Sequence, residues 1–552
     1  MNITVNLIRK GWKSASQNGV TVYVRGQAHL GDEYLDTKAL AERFLAVALQ
    51  PPRLPNLQSS SLSALVTSLN GNWAAVVHTS SSAFLAVDHI RSIQLLYSQE
   101  GEVFYVFDDV NDFRKGRKLE IDEDGAHEYL SCGRVYSNRT LYKNVYSLQA
   151  AEWVSVGQWG KEICSTRYWK FVPAANSLVK ENEELFQRVD TTFIRMIRRL
   201  IESIGGRKIV VPLSGGYDSR TIVSYLHRVG YRDVLCYSYG DSPDSGQAGV
   251  SREIAKRLGY DWHFTKYDYA EQAEAVNAPE MKDYLLYASN GVSYAFFQEY
   301  FALKDMLRRG MLKGDEVIVP GYSLDFPAGS CIMKRVRAFN LPSELMGFDK
   351  CCFQIGEWRR SYKSVCRLLE ENLDVTGNRF YETCLWQEQS AKAIDNSVCQ
   401  FEWLGFDWRL PEWDREVLEL WLSFPERMRY GRRYFISIFD RLADPAIRGV
   451  KPFAEMNGMQ SVKHAISTRL PYVLQYAHHF LLKRGRCAKV SPMSKGVDVS
   501  STLNVIRSLD RSEFVSMNKR LERNFSVPLE DVHFLTWGNM AIALKTLGMM
   551  LE

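Results

Sequence analysis

The sequence predicts an α/β protein, with a β-rich, layered domain over residues 1–175 and a doubly wound parallel-sheet domain over 176–552. Two patterns carry this expectation. In the first third, short runs alternate apolar and polar residues between turns, as in Asn70-Gly71-Asn72-Trp73-Ala74-Ala75-Val76-Val77, which is how half-buried strands read. From Lys208 onward, apolar β-branched runs alternate with amphipathic stretches. That β-α-β-α-β order folds as a parallel sheet with its ligand at the carboxyl ends of the strands. The boundary falls in Val172-Pro173-Ala174-Ala175-Asn176-Ser177, ahead of an amphipathic helix predicted over 181–201.

Each element of the second part has its own signal. A strand is predicted over 208–213 and a helix over 221–229, and between them runs Pro212-Leu213-Ser214-Gly215-Gly216-Tyr217-Asp218-Ser219-Arg220. Strand, glycine turn and helix start together build an anion site. Gly215 and Gly216 are expected to adopt backbone angles that other residues resist, so that N–H groups converge on a phosphate at the positive end of the helix. Leu213 leads into the turn, Ser214 and Ser219 add hydroxyl donors, and Asp218 is a carboxylate placed to hold Mg²⁺ beside the phosphates. No Gly-Lys-Ser/Thr closes the loop, so this is not the Walker pattern. A second strand over 234–239 ends at Gly240. A helix over 247–258 and a third strand around Trp262-His263-Phe264 follow.

The 212–220 segment resembles the SGGxDS loop of the PP-loop ATP pyrophosphatases, which cleave ATP between its α- and β-phosphates, and the likeness extends to the asparagine synthetase family. The run Val317-Ile318-Val319-Pro320-Gly321-Tyr322-Ser323-Leu324-Asp325-Phe326-Pro327-Ala328-Gly329 resembles that family's second signature, SGEGSDExFGG, with Gly321, Asp325 and Gly329 matching. Tyr322 stands where asparagine synthetases carry Glu, and Leu324 where they carry Ser. Glu402 and Arg409-Leu410-Pro411-Glu412-Trp413-Asp414 resemble the "E-x-R-x-P-F-L-D" segment. Pro445-Ala446-Ile447-Arg448-Gly449-Val450-Lys451 lies where the family has a Pro-rich approach to a catalytic Lys.

In the first domain, Ala86-Val87-Asp88-His89-Ile90-Arg91-Ser92-Ile93-Gln94-Leu95-Leu96-Tyr97 is similar to strands of the family's glutaminase domain, and the stretch from Gly133 to Ser147 with the Tyr168-Trp169 pair is similar to its exit. The resemblance therefore implies an Ntn-hydrolase-like first domain, then a synthetase domain with a helical C-terminal part. One departure bears on activity. The family's glutaminase nucleophile is an N-terminal Cys exposed by removal of Met1, and position 2 here is Asn2. A carboxamide cannot replace a thiolate as a nucleophile, and the nearest cysteine, Cys132, lies deep in the chain. The domain is read as a retained scaffold that does not hydrolyse glutamine.

The chemistry that the resemblance implies is adenylation of a carboxylate, with Mg²⁺-pyrophosphate leaving, and then attack by an amine. Ser214, Gly215, Gly216 and Ser219 would grip phosphates, with Leu213, Gly240 and Gly321 bordering the same nucleotide, and Asp218 and Asp325 would share magnesium. Lys451 would offset charge on the pyrophosphate and then on the tetrahedral intermediate. The β-lactam synthetases, a branch of the family, also lack the N-terminal Cys and carry Tyr at the position of Tyr322, where it pairs with a downstream Glu to deprotonate an amine already on the substrate. Glu357, thirty-five positions past Tyr322, is the candidate partner, with Glu382 and Glu388 as rivals. A phenol titrates near pKa 10, so such a base needs an acceptor beside it.

Composition agrees with a folded enzyme of more than one core. The 552 residues are 46% apolar and 12% aromatic, which is not a disordered chain. Ten cysteines without CxxC pairs suggest reduced thiols, no cationic apolar leader opens the sequence, and no apolar run reaches membrane length, so a cytoplasmic protein with no membrane insertion is expected. A net charge of +5 is mild. The basic cluster Lys483, Arg484, Arg486, Lys489 and Lys495 reads as a solvated loop or a mobile flap rather than a nucleic-acid surface. Small-molecule carboxylate and amine substrates are the expected partners. The products left open are a lactam or macrolactam, an amidated uronic acid of a surface polysaccharide, and asparagine made from ammonia. A tRNA-modifying PP-loop enzyme and a catalytically inactive scaffold are the readings from other classes.

Overall fold

The computed structural model describes residues 1–452 apart from 51–56, 158–159, 176–178, 245, 268–274, 276–277, 333–367, 369 and 373–374, together with 546, 549 and 550. Glu357 and the basic cluster of 483–495 lie outside the described residues.

Two mainly antiparallel sheets fill the first third. One has the order β1 (Asn2–Asn6), β8 (Val103–Phe107), β7 (Leu96–Glu100), β9 (Val145–Ser147), with β1 parallel to β8. The other runs β11 (Gly160–Arg167), β10 (Glu152–Gly157), β6 (Ala83–Val87), β5 (Leu69–His78), β3 (Val20–Leu30), β2 (Lys13–Gln17), and β4 (Glu33–Leu35) pairs with β3. The larger sheet is buried on both faces because successive side chains point to opposite sides. Ala74 and Val76 of β5 pack with Phe104 and Val106 of the smaller sheet. Trp73, Ala75 and Val77 pack instead with Leu40 and Phe44 of α1 (Thr37–Ala48) and Val66 of α2 (Leu57–Ser68). Beneath the smaller sheet, Leu96 and Phe107 meet Phe113 of α3 (Val110–Phe113) and Tyr129 and Leu130 of α4 (Glu123–Cys132). The layer order is helix, sheet, sheet, helix.

The second part is built on a parallel sheet of order β14 (Asp261–Lys266), β13 (Val234–Gly240), β12 (Ile209–Pro212), β15 (Val317–Ile318), β16 (Asp407–Trp408). On one face, Ile209, Val211, Cys236 and Val317 pack against α5 (Glu183–Ile204), α6 (Asp218–Arg228) and α7 (Gly246–Leu258). On the other, Val210, Leu235, Tyr237 and Ile318 meet Leu303 and Met306 of the helix Tyr300–Arg308 and Phe401. Helices on both faces explain why these strands read as continuous apolar runs. The helix α6 starts earlier than its apolar pattern indicates. Thr221 N–H and its hydroxyl both donate to Tyr217 O, at 2.8 and 2.9 Å, so Asp218 and Ser219 belong to the first helical turn.

The two parts are joined by polar contacts as well as by a continuous apolar core. Asn70 and Asn72 of β5 accept from the backbone N–H groups of Arg415 (2.9 Å) and Leu410 (3.4 Å), Asn70 Nδ2 donates to Asp414, and His89 Nε2 donates to Trp413 O at 2.6 Å. Trp408, Trp413 and Trp421 are buried in the core, and Trp421 belongs to a different apolar cluster from the other two.

Candidate active site

The two signature segments leave adjacent strands at the same edge of the sheet. β12 and β15 pair in register, Ile209 with Val317 and Val210 with Ile318, and Val319 N–H continues the ladder to Val210 O at 2.9 Å. The loop after β12 and the loop after β15 therefore emerge side by side. Their contact is tightest at Gly321, where a Cβ would fall 2.4 Å from Ser219 N and 2.7 Å from its Cα. Gly321 is there because the second loop presses directly on the start of α6.

The first loop folds on its own hydroxyls. Ser214 N–H donates to Ser219 Oγ at 3.0 Å, the two hydroxyls lie 3.1 Å apart, and Gly216 N–H donates to Ser214 Oγ at 3.2 Å. One expectation is corrected here. Neither Gly215 nor Gly216 takes a left-handed backbone angle. The constraint on Gly216 is space, since a Cβ would stand 3.3 Å from Ser214 Oγ. Leu213 is buried and tied to β13, its N–H donating to Tyr237 O and its carbonyl accepting from the Ser238 hydroxyl. Gly240 closes β13 with φ of 136° and accepts from Tyr267 N–H, beside stacked Tyr239 and Tyr267 rings. Gly240 is one place where a positive φ does call for glycine.

Asp218 and Asp325 come together across the two loops. Asp218 accepts from the backbone N–H of Asp325, and its Oδ1 is enclosed without a hydrogen-bond partner among the described residues. Burial first, then the facing Asp325, push the Asp218 carboxyl up to about 8, and Arg432 pulls the other way. A third carboxylate, Glu412, is almost wholly buried behind them. Its Oε2 accepts from Leu324 N–H at 3.2 Å, its Oε1 has no hydrogen-bond partner among the described residues, and burial followed by Asp218 drives its carboxyl upward. Sequence reasoning gave Glu412 no role. The signal was present, because this acid stands where the resembled segment has Phe.

An enclosed carboxylate oxygen on Asp218 facing the half-buried, like-charged Asp325 is a fit for a divalent cation. Among the described residues no group of three or more His, Cys, Asp or Glu side chains is placed to hold a metal. A pair suffices for Mg²⁺, which keeps several waters and takes the rest of its oxygens from phosphate. Lys451 is exposed at the edge of the same region. Its neighbour Val450 is tethered to α6, with Arg220 Nη1 donating to Val450 O at 2.6 Å.

Among the described residues, Tyr322 is partnered by a glutamate that was not among the candidates, while Glu357 lies outside the described residues. The Tyr322 hydroxyl donates to Glu299 Oε1 at 3.0 Å. Glu299 is 7% exposed and caps the helix Tyr300–Arg308, and Gln400 holds it from both sides, accepting from its N–H and donating to Oε2. Burial pushes both titrating groups up, Glu299 above its ordinary range and Tyr322 far above a free phenol. The rivals are committed elsewhere. Glu382 is fully buried in a bidentate pair with Arg429 at 2.6 and 2.8 Å, and Glu388 pairs with Lys392 at 2.6 Å. Glu299 lies upstream of the motif, and nothing in the spacing of the sequence marks it.

Comparison with known proteins adds little to this geometry. No protein-family model matches the chain, and no curated protein matches it. Among solved structures, an allosteric regulatory enzyme of purine biosynthesis is 12% identical over 46% of this chain and 61% of its own, with a TM-score of 0.20. This chain thus spans less than two thirds of that protein. A glutamine phosphoribosylpyrophosphate amidotransferase from B. subtilis, complexed with ADP and GMP, is 10% identical over 48% of this chain and 74% of its own (TM-score 0.20). A U34-tRNA thiolase from Methanococcus maripaludis with a [4Fe-4S] cluster is 10% identical over 56% and 85% (TM-score 0.21). Likeness at this level carries no argument about fold or activity, which therefore rest on the chain's own residues.

Proposed function

We propose that the chain is an ATP-dependent amide-bond-forming ligase, which transfers AMP to a carboxylate with release of pyrophosphate and then joins the activated acid to an amine. The observation that carries this reading is the meeting of the serine-glycine loop and the Gly321–Gly329 loop at one sheet edge. That meeting places Asp218 beside Asp325 and leaves Tyr322 on Glu299 a few residues away. Asp218 and Asp325 would hold Mg²⁺, which when bound offsets phosphate charge and orients the polyphosphate. Ser214, Gly216, Ser219 and the start of α6 provide the donors for phosphate oxygens.

Tyr322 and Glu299 suit the second half of the reaction. An attacking amine must lose a proton, and the Tyr322 oxygen can accept it as its own proton passes to Glu299 Oε1. Because burial raises the Glu299 carboxyl, it is a stronger base than a surface carboxylate. Such a base is useful when the amine already belongs to the substrate, which favours ring closure among the open products. The β-rich part acts as a scaffold in this reading, since Asn70 and Asn72 are occupied in holding the 410–415 segment.

ATP–pyrophosphate exchange with a panel of carboxylates tests the proposal, with Asp218→Ala as control. Exchange that needs one particular acid and disappears in the variant is the expected result, and it would name the acyl substrate. A chain that neither exchanges nor binds Mg·ATP is a scaffold, and the proposal falls.

A further inference from the structure

One cation at the loop is unused by the chemistry above. Arg432 is half-buried, and its guanidinium lies over the ring of Tyr217, 5.6 Å from the centroid. Its charge acts on Asp218 and on Cys331. Among the described residues it makes no ion pair and no hydrogen bond. A guanidinium carries five N–H donors in a flat fork, so a half-buried one aimed at a glycine loop is equipped for an anion that is absent from the chain itself.

The backbone that delivers it is held in place from several sides. Arg429 Nη1 and Nη2 grip Glu382, and Nη1 also donates to Pro327 O at 3.2 Å. Gly431 N–H donates to Gly329 O at 3.2 Å. A Cβ on Gly329 would come within 2.3 Å of Arg429 O, so the second signature loop and this turn are in direct backbone contact. Gly431 and Arg432 both adopt left-handed angles, φ 59° and 61°. Gly431 adopts this readily, but for arginine it is an unfavourable conformation that persists only when the surroundings impose it.

Charge balance indicates what the fork meets. Two carboxylates, Asp218 and Asp325, balance the charge of one divalent cation, which leaves Lys451 as the cation so far assigned to a polyphosphate of several negative charges. We infer that Arg432 is a polyphosphate-binding residue, its guanidinium engaging the pyrophosphate portion of the bound nucleotide from the Tyr217 side of the loop. This rests on the nucleotide reading of the loop given above and adds a residue that no motif marks. It also gives a reason for the left-handed turn, since an extended residue 432 would carry the side chain along a different course.

The test measures binding of inorganic pyrophosphate, ATP and AMP, each with Mg²⁺, by calorimetry on the full chain and on its Arg432→Ala and Arg432→Lys variants. Melting temperature is the fold control. For Arg432→Ala the expected result is a ten- to hundredfold loss for pyrophosphate and ATP, AMP affinity within twofold, and an unchanged melting temperature. Arg432→Lys should recover part of the loss, since a point charge replaces the fork incompletely. Unchanged pyrophosphate affinity in Arg432→Ala, or an equal loss for AMP, overturns the inference and leaves the ligase reading standing. Failure of the unaltered chain to bind any of the three probes overturns both.

Discussion

At the scale of single residues, Gly321 has the clearest steric duty. The absence of a side chain lets one signature loop rest on the backbone of the other, and the atom an alanine would add has nowhere to go, since Ser219 N and Cα are backbone. Gly321→Ala should therefore separate the loops, costing about 1–3 kcal/mol of stability, the usual penalty for forcing extra atoms into a packed site, and at least tenfold in Mg·ATP affinity. Gly205→Ala is the control. Gly205 ends α5 in a left-handed angle with open space around it, so alanine there costs about 1 kcal/mol of conformational strain and leaves nucleotide binding as it was. Urea unfolding and nucleotide titration of the two variants check the contrast.

At the scale of elements, the base for the second half-reaction is assembled from three pieces of chain. Tyr322 comes from the loop after β15, Glu299 from the cap of the helix Tyr300–Arg308, and Gln400 from the helix Cys399–Trp403. No two of these are neighbours in sequence, so the pairing is a product of packing. Glu299→Gln keeps the shape and the hydrogen-bonding reach of the side chain but removes the proton acceptor. The expected outcome is normal ATP–pyrophosphate exchange with amide formation slowed roughly 10²- to 10⁴-fold, the usual worth of a positioned base. Equal loss in both assays would instead make Glu299 a structural residue.

At the scale of the whole molecule, the joint between the β-rich layers and the parallel sheet includes a buried polar cluster beside its apolar core. Arg25 of β3 pairs with Glu402, which also accepts from the Tyr287 hydroxyl at 2.8 Å and from Trp408 Nε1 at 3.0 Å. Burial alone would raise the Glu402 carboxyl, but Arg25, Arg9 and the Tyr287 hydroxyl outweigh it and hold the carboxyl below its ordinary range. A carboxyl depressed by folding adds stability that is complete above its unfolded pKa and is lost as the pH falls through its folded value. Stability should therefore decline below about pH 4.5, the ordinary Glu range. Glu402→Gln should flatten that part of the pH profile while lowering stability at pH 7 by about 3–5 kcal/mol, because Arg25 is left buried without its partner. Chemical denaturation between pH 3 and 7 reads both effects.

The sequence alone determined the local chemistry. The strand–loop–helix run through Ser214, Gly216 and Asp218, the alternation that makes β5 a strand, and the β-α-β-α-β order each depend on residues close in the chain, whose periodicity and turn preferences act locally. The resemblance already pointed to Asp218 and Asp325 as a pair, but tertiary structure alone decided the backbone contact at Gly321, Glu299 as the partner of Tyr322, Glu412 behind the two aspartates, and Arg432 over Tyr217. It also decided that Gly216 is needed for space and not for its backbone angle. The physical reason is that hydrogen bonds, burial and charge between such groups depend on distance in space. A linear pattern does not encode that distance until the sheet brings β12 and β15 together in register.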